Sequence, residues 1–143
     1  MSGFYTPVLV VHVLVAILGL GSIASVAIVA ATARRVGRGT TEVLPWLSPL
    51  LRYSAFSLAA MLVTGILLDL AAKGIFRESW WFRGSALLLI ATGVLHGQAR
   101  RAVRLGFVKE ASGDAVIRRV ERIAYGMCGL IFAITVLMEV KPF

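Results

Sequence analysis

The stretch 8-VLVVHVLVAILGLGSIASVAIVAATARR-35 decides the fold. It is almost uninterrupted hydrocarbon, it closes on Arg34 and Arg35, and near its start it carries one imidazole, His12. A helix crossing a bilayer needs about 20 mostly apolar residues at ~1.5 Å rise each, and this run is longer than that. The rest of the chain has the same character. Of its 143 residues 59% are hydrophobic and 15% charged, whereas soluble domains are roughly one-quarter charged. This is the composition of an integral membrane protein.

Three further runs of spanning length follow. The expected helices cover about 8–33, 53–72, 81–99 and 123–140. Little chain is left for a separate soluble unit, so residues 1–143 read as a single all-α domain, a bundle of four transmembrane helices. "MSGFYTP" has no charged side chain, and the apolar run after it exceeds the roughly 7–15 residues of a signal-peptide core. The first run therefore reads as a retained helix. "LPWLSPLLR", with Pro45 and Pro49 around Trp46, reads as a short interfacial stretch before the second helix.

Orientation follows from the basic residues, which concentrate in short cytoplasmic loops. Arg34, Arg35, Arg38 and Arg52 flank the first connection. Arg100, Arg101, Arg104, Lys109, Arg118, Arg119 and Arg122 flank the third, and only Lys73, Arg77, Arg83 and Lys141 fall on the other side. Both termini are expected on the outer side. The net charge of +8 comes from cations at helix ends without interleaved aromatics, so the expected partner is the anionic headgroups of the bilayer at the cytoplasmic face rather than nucleic acid. Trp80, Trp81 and Phe82 stand where an interfacial aromatic belt belongs. The single Cys128 excludes an internal disulfide.

Helix registers suggest how the bundle packs. Gly21 and Ser25 form a small-xxx-small pair that lets a second backbone approach. Ser57, Met61, Gly65 and Asp69 share one face of the second helix, and Tyr125, Cys128, Phe132, Thr135 and Glu139 share one face of the fourth. Both faces are expected to point inward. "ATARR" closing the first helix and "GQARR" closing the third hint at an internal duplication.

Counted from Pro7, His12 lies roughly 8–10 Å below the outer end of its helix. His96 stands one turn before Arg100, near the cytoplasmic interface, so one iron held by both imidazoles does not fit: axial ligands must share a depth. Asp69 and Glu139 are expected at the level of His12. A metal site at His12 and Asp69 or a proton relay would use such a cluster. In the plainer reading His12 is a neutral imidazole hydrogen-bonded to another helix, and Asp69 and Glu139 meet Lys73 and Lys141. Gly19, two turns beyond His12 on the same face, is a place where a missing side chain makes room for a flat macrocycle.

"HVLVAILGLG", "ATARR", "TGILLDL" and the closing "VLMEVKPF" together resemble small four-helix integral membrane proteins related to the membrane domain of copper-resistance protein D, over nearly the whole chain. A more distant likeness is to four-helix haem-containing protoporphyrinogen oxidases. The resemblance implies a four-helix bundle that handles copper or binds b-type haem, with His12 as the ligand carried over.

Two readings stand. One is a small redox or metal-handling protein of the bacterial inner (cytoplasmic) membrane, binding haem b or a metal ion such as copper near the outer surface through His12. The other is a non-catalytic accessory subunit of a larger membrane complex, meeting partner membrane subunits or further copies of itself. No nucleophile–base pair, phosphate-binding glycine loop or strongly spaced metal motif points to an enzyme, and four helices this apolar offer little to line a channel.

Overall fold

The computed structural model describes residues 3–108 and 113–140. These form four helices: α1 (Tyr5–Val36), α2 (Thr40–Ala71), α3 (Trp80–Val108) and α4 (Gly113–Glu139). Neighbours in sequence are neighbours in space, and α4 closes the ring on α1, so that α1 and α3 stand at opposite corners. Three helices, over Tyr5–Val36, Thr41–Ala71 and Asp114–Glu139, are long and apolar enough to cross a membrane. α3 is as long, at 29 residues, but Ser85, Thr92, His96 and Gln98 dilute its hydrocarbon.

The helices extend well beyond the expected spans at one end. α2 begins at Thr40 rather than near Tyr53, and Pro45 and Pro49 lie inside it rather than in an interfacial stretch. Each proline deprives the carbonyl four residues earlier of a partner. Both prolines are exposed, so the freed carbonyls lie on the outward side of the helix. α3 continues past Arg100 and Arg104, and α4 starts at Gly113, so most of the expected basic loop is helix. Lys109 and Lys141 lie outside the described residues.

Packing explains these extensions. The buried cluster joins Ile23, Val26 and Ala30 of α1 to Leu44, Leu47 and Leu51 of α2, Val103 of α3 and Val120 and Met127 of α4. It is concentrated at the arginine-rich end, called the basic end below. Arg34 and Glu121 pin α1 to α4 there, at 2.7 Å (Nε–Oε2) and 3.2 Å (Nη2–Oε1). The turn into α2 is closed at Gly37, whose left-handed backbone (φ 68°) lets the N–H of Arg38 reach the Ala33 carbonyl at 3.0 Å.

The far half is looser. No residue of α1 before Gly19 is fully buried. Gly19 marks a close approach of α1 and α2, since a Cβ there would stand 3.1 Å from Ser57 Cβ and 3.7 Å from Met61 Sδ. α4 is rotated from expectation. Ile117, Val120, Ala124, Met127, Ile131 and Ile134 face the core, while Tyr125, Phe132, Thr135 and Glu139 are exposed and Cys128 is half-buried. The unbroken aliphatic stripe at three- and four-residue spacing outweighs the mixed face.

Candidate ligand site at His12

His12 and Thr64 join α1 to α2 in the loose half, with His12 Nδ1 2.7 Å from Thr64 Oγ1. The Thr64 hydroxyl has one proton, and two backbone carbonyls compete for it: Ala60 O at 2.7 Å and Met61 O at 3.2 Å. With that proton turned to the backbone, Nδ1–H must donate to Thr64 Oγ1 and Nε2 keeps a free lone pair. Ligating histidines are commonly held in this way, one nitrogen fixed by a hydrogen bond and the other presented.

The ring borders a cavity of about 280 Å³ between α2, α3 and α4. Its wall is nearly all hydrocarbon, with Ile66, Phe82 and Leu89 among the lining residues. Three other groups on that wall have chemistry: the thioethers of Met61 and Met138 and the hydroxyl of Ser85. Ser85 is 5% exposed, and its Oγ is the one buried side-chain polar atom among the described residues that has no hydrogen-bond partner. Leaving such a group unpaired costs about 1–3 kcal/mol, so one polar group beside the cavity is unmatched by the protein.

Asp69 has other partners. Its Oδ1 accepts the backbone N–H groups of Phe76 and Arg77 at 3.2 and 3.1 Å, and its Oδ2 meets the Arg77 guanidinium at 3.1 Å from both Nε and Nη2. The carboxylate closes the turn after α2, where Lys73 and Gly74 both adopt left-handed backbone (φ 60° and 77°). That reversal brings Arg77 to Asp69, where the sequence suggested Lys73. Asp69 does not line the His12 cavity, and Glu139 is exposed at the end of α4. The expected cluster of His12 with two acids is therefore not assembled. Among the described residues no three His, Cys, Asp or Glu side chains group as a metal site.

His96 is buried within the bundle. Its Nε2 lies 2.8 Å from the Leu51 carbonyl, which can only accept, and 2.8 Å from Ser54 Oγ. The α2 partners of the two imidazoles, Ser54 and Thr64, are about 15 Å apart along the helix at ~1.5 Å per residue. The structure thus keeps His12 and His96 at different levels. Gly19, read as room for a macrocycle, is filled by Ser57 of α2.

Thr64, Ser85 and Met138 join this site although the sequence alone does not single them out. Thr64 stood in the quoted "TGILLDL", and Met61 already shared a face with Gly65, whose Cβ position lies 3.7 Å from His12 Cε1. No signal in the sequence marked Ser85. No protein-family model, no curated protein and no solved structure matches the chain.

Proposed function

We propose that the chain is a four-span membrane protein that binds a soft metal ion, copper(I) by preference, in the cavity beside His12. The observation that carries this reading is the placing of the imidazole: Nδ1 is engaged by Thr64, and the ring lines a cavity that Met61 and Met138 also line. Imidazole with thioethers suits copper(I), whereas harder ions prefer carboxylate and carbonyl oxygens. Copper bound there would supply one-electron exchange or be handed on as cargo. This chain's part is to hold it away from water by a wall of hydrocarbon. Haem b is the second cofactor the resemblance implies. A cavity of about 280 Å³, with Gly19 closed by Ser57, favours an ion over a macrocycle.

The membrane placement rests on three apolar helices of spanning length and on a fourth in which Ser85, Thr92 and His96 are buried. Thr92 donates to Leu88 O at 2.8 Å, and His96 bonds to the Leu51 carbonyl, so α3 exposes less polarity than its sequence suggests. With the basic end in the cytoplasm, both termini and the His12 cavity lie toward the outside. The likeness to copper-resistance protein D points to the same place, a bacterial inner membrane.

The test is copper(I) competition against a chromophoric chelator, under reductant, with the detergent-solubilised protein. We expect one ion per chain, lost in His12→Ala and retained in His96→Ala. A parallel haemin titration separates the two cofactors, since a Soret band dependent on His12 would assign haem instead.

An accessory-subunit role is the second reading. Gly21 is exposed with no heavy atom within 4 Å of its Cβ position, and Ser25 follows one turn later, which is an open surface for a partner helix. Gly126 is already used in the bundle, its Cβ position lying 3.5 Å from Leu95 Cδ1. Recovery in a larger complex that Gly21→Leu disperses, with no bound metal, would favour this role.

A further inference from the structure

At the basic end, α2 and α3 diverge around a cleft of about 460 Å³. Arg52, Arg100, Arg101 and Arg104 line it, and among the described residues no acidic side chain does. The ion pairs among the described residues join other arginines to acids: Arg34 to Glu121, Arg38 to Glu42, Arg77 to Asp69 and Arg118 to Asp114. Four like charges around one hollow repel one another, and an anion held among them removes that repulsion. Arginine forks match phosphate oxygens in particular.

The cleft does not end at its charges. A second hollow of about 450 Å³ shares Ser48, Arg52 and Phe107 with it and continues over Pro49, Tyr53 and Phe56. A third, of about 280 Å³, starts one turn away at His96 and follows Ala55, Ala59, Leu62, Ile90 and Gly93 between the same two helices. Two largely apolar hollows thus lie beside one polycationic pocket, one sharing part of its lining and the other a helical turn away.

We propose that this cleft binds one anionic phospholipid, with its phosphodiester among Arg52, Arg100, Arg101 and Arg104 and its acyl chains along the two apolar hollows. A phosphate group alone would satisfy the arginines, but only a molecule with a hydrocarbon tail uses what adjoins them. Basic pockets between spanning helices on the cytoplasmic side are suited to such headgroups. The site rests on the membrane placement of α2 and α3 and is independent of any ligand at His12.

Gly97 gives a test that leaves every charge in place. It lines the cleft, and a Cβ added there has no heavy atom within 4 Å. Gly97→Leu therefore starts a side chain into open space at the cleft, and it raises helix propensity. Native mass spectrometry of the full chain in non-ionic detergent, titrated with phosphatidylglycerol or with phosphatidylcholine of the same acyl chains, reads the affinity. Phosphatidylglycerol should bind about tenfold more tightly or better. Arg100→Gln with Arg104→Gln should remove that preference, Gly97→Leu should weaken binding to a similar extent, and Arg118→Gln with Arg119→Gln should change nothing. Inorganic phosphate at millimolar concentration should not displace the lipid. Equal binding of both lipids, full affinity in Gly97→Leu, or displacement by inorganic phosphate would each overturn the proposal. Copper binding should be unchanged in all these variants, so failure here is distinct from failure at His12.

Discussion

His12 and Thr64 meet at 2.7 Å across the α1–α2 contact, in the half of the bundle where no residue of α1 is fully buried before Gly19. A part-buried polar bond in this looser region ties α1 to α2 where few apolar contacts do. It sets the imidazole tautomer, and with it which nitrogen can take a ligand.

Thr64→Val removes the acceptor while keeping the shape. The Nδ1–H then lacks its partner, and metal affinity should fall about 10–100-fold with His12 still present. Thr64→Ser should restore it. The chelator competition assay reads both variants, and equal affinity in Thr64→Val would separate the tautomer from the site.

Asp69→Ala strands the Arg77 guanidinium and two backbone N–H groups at a turn with two left-handed residues. Its carboxylate is only 7% exposed while Arg77 is 61% exposed, so the loss should be about 2–4 kcal/mol, short of a fully buried pair. Thermal unfolding in detergent measures it. Folded Asp69→Ala should still bind copper(I) with full stoichiometry, and loss of copper without loss of stability would return Asp69 to the metal site.

Gly19→Leu should destabilise the bundle sharply, because even a Cβ there stands 3.1 Å from Ser57 Cβ, and a tightly packed contact accepts extra atoms at a cost of about 1–3 kcal/mol or more. Gly21→Leu, at an exposed position where an added Cβ meets nothing within 4 Å, should leave the unfolding temperature unchanged. The pair of measurements tells close helix contact from open surface.

The four apolar runs were legible because length and hydropathy report directly on a helix that must satisfy its backbone internally. Their ends were not. Val43, Leu44 and Leu47 sit among prolines, and Ile117 and Val120 among arginines, so window hydropathy discounts residues that the structure buries. The facing of α2 was readable from Ser57, Met61, Gly65 and Asp69. That of α4 was not, since Tyr125 and Phe132 are as acceptable on an outward face as in a core. His12 could be found by its isolation in hydrocarbon. Its partner Thr64 could not, because the pairing depends on how two helices rotate against each other, and the same holds for Asp69, whose partner was decided by the backbone reversal at Lys73.

Orientation is open to labelling in a Cys128→Ala background. A cysteine placed at Ser79, between α2 and α3, should react with an impermeant maleimide in intact cells, and one at Gly39, between α1 and α2, only after permeabilisation. The opposite pattern would invert the bundle and put the arginine cleft outside.

Copper K-edge X-ray absorption on protein loaded with one equivalent of copper(I) tests the central claim most directly. The expected shell mixes one imidazole nitrogen with thioether sulfur. The nitrogen should disappear in His12→Ala, and the sulfur should diminish in Met61→Leu and Met138→Leu. A shell of oxygen and nitrogen alone, or one that these three substitutions leave unchanged, would contradict it.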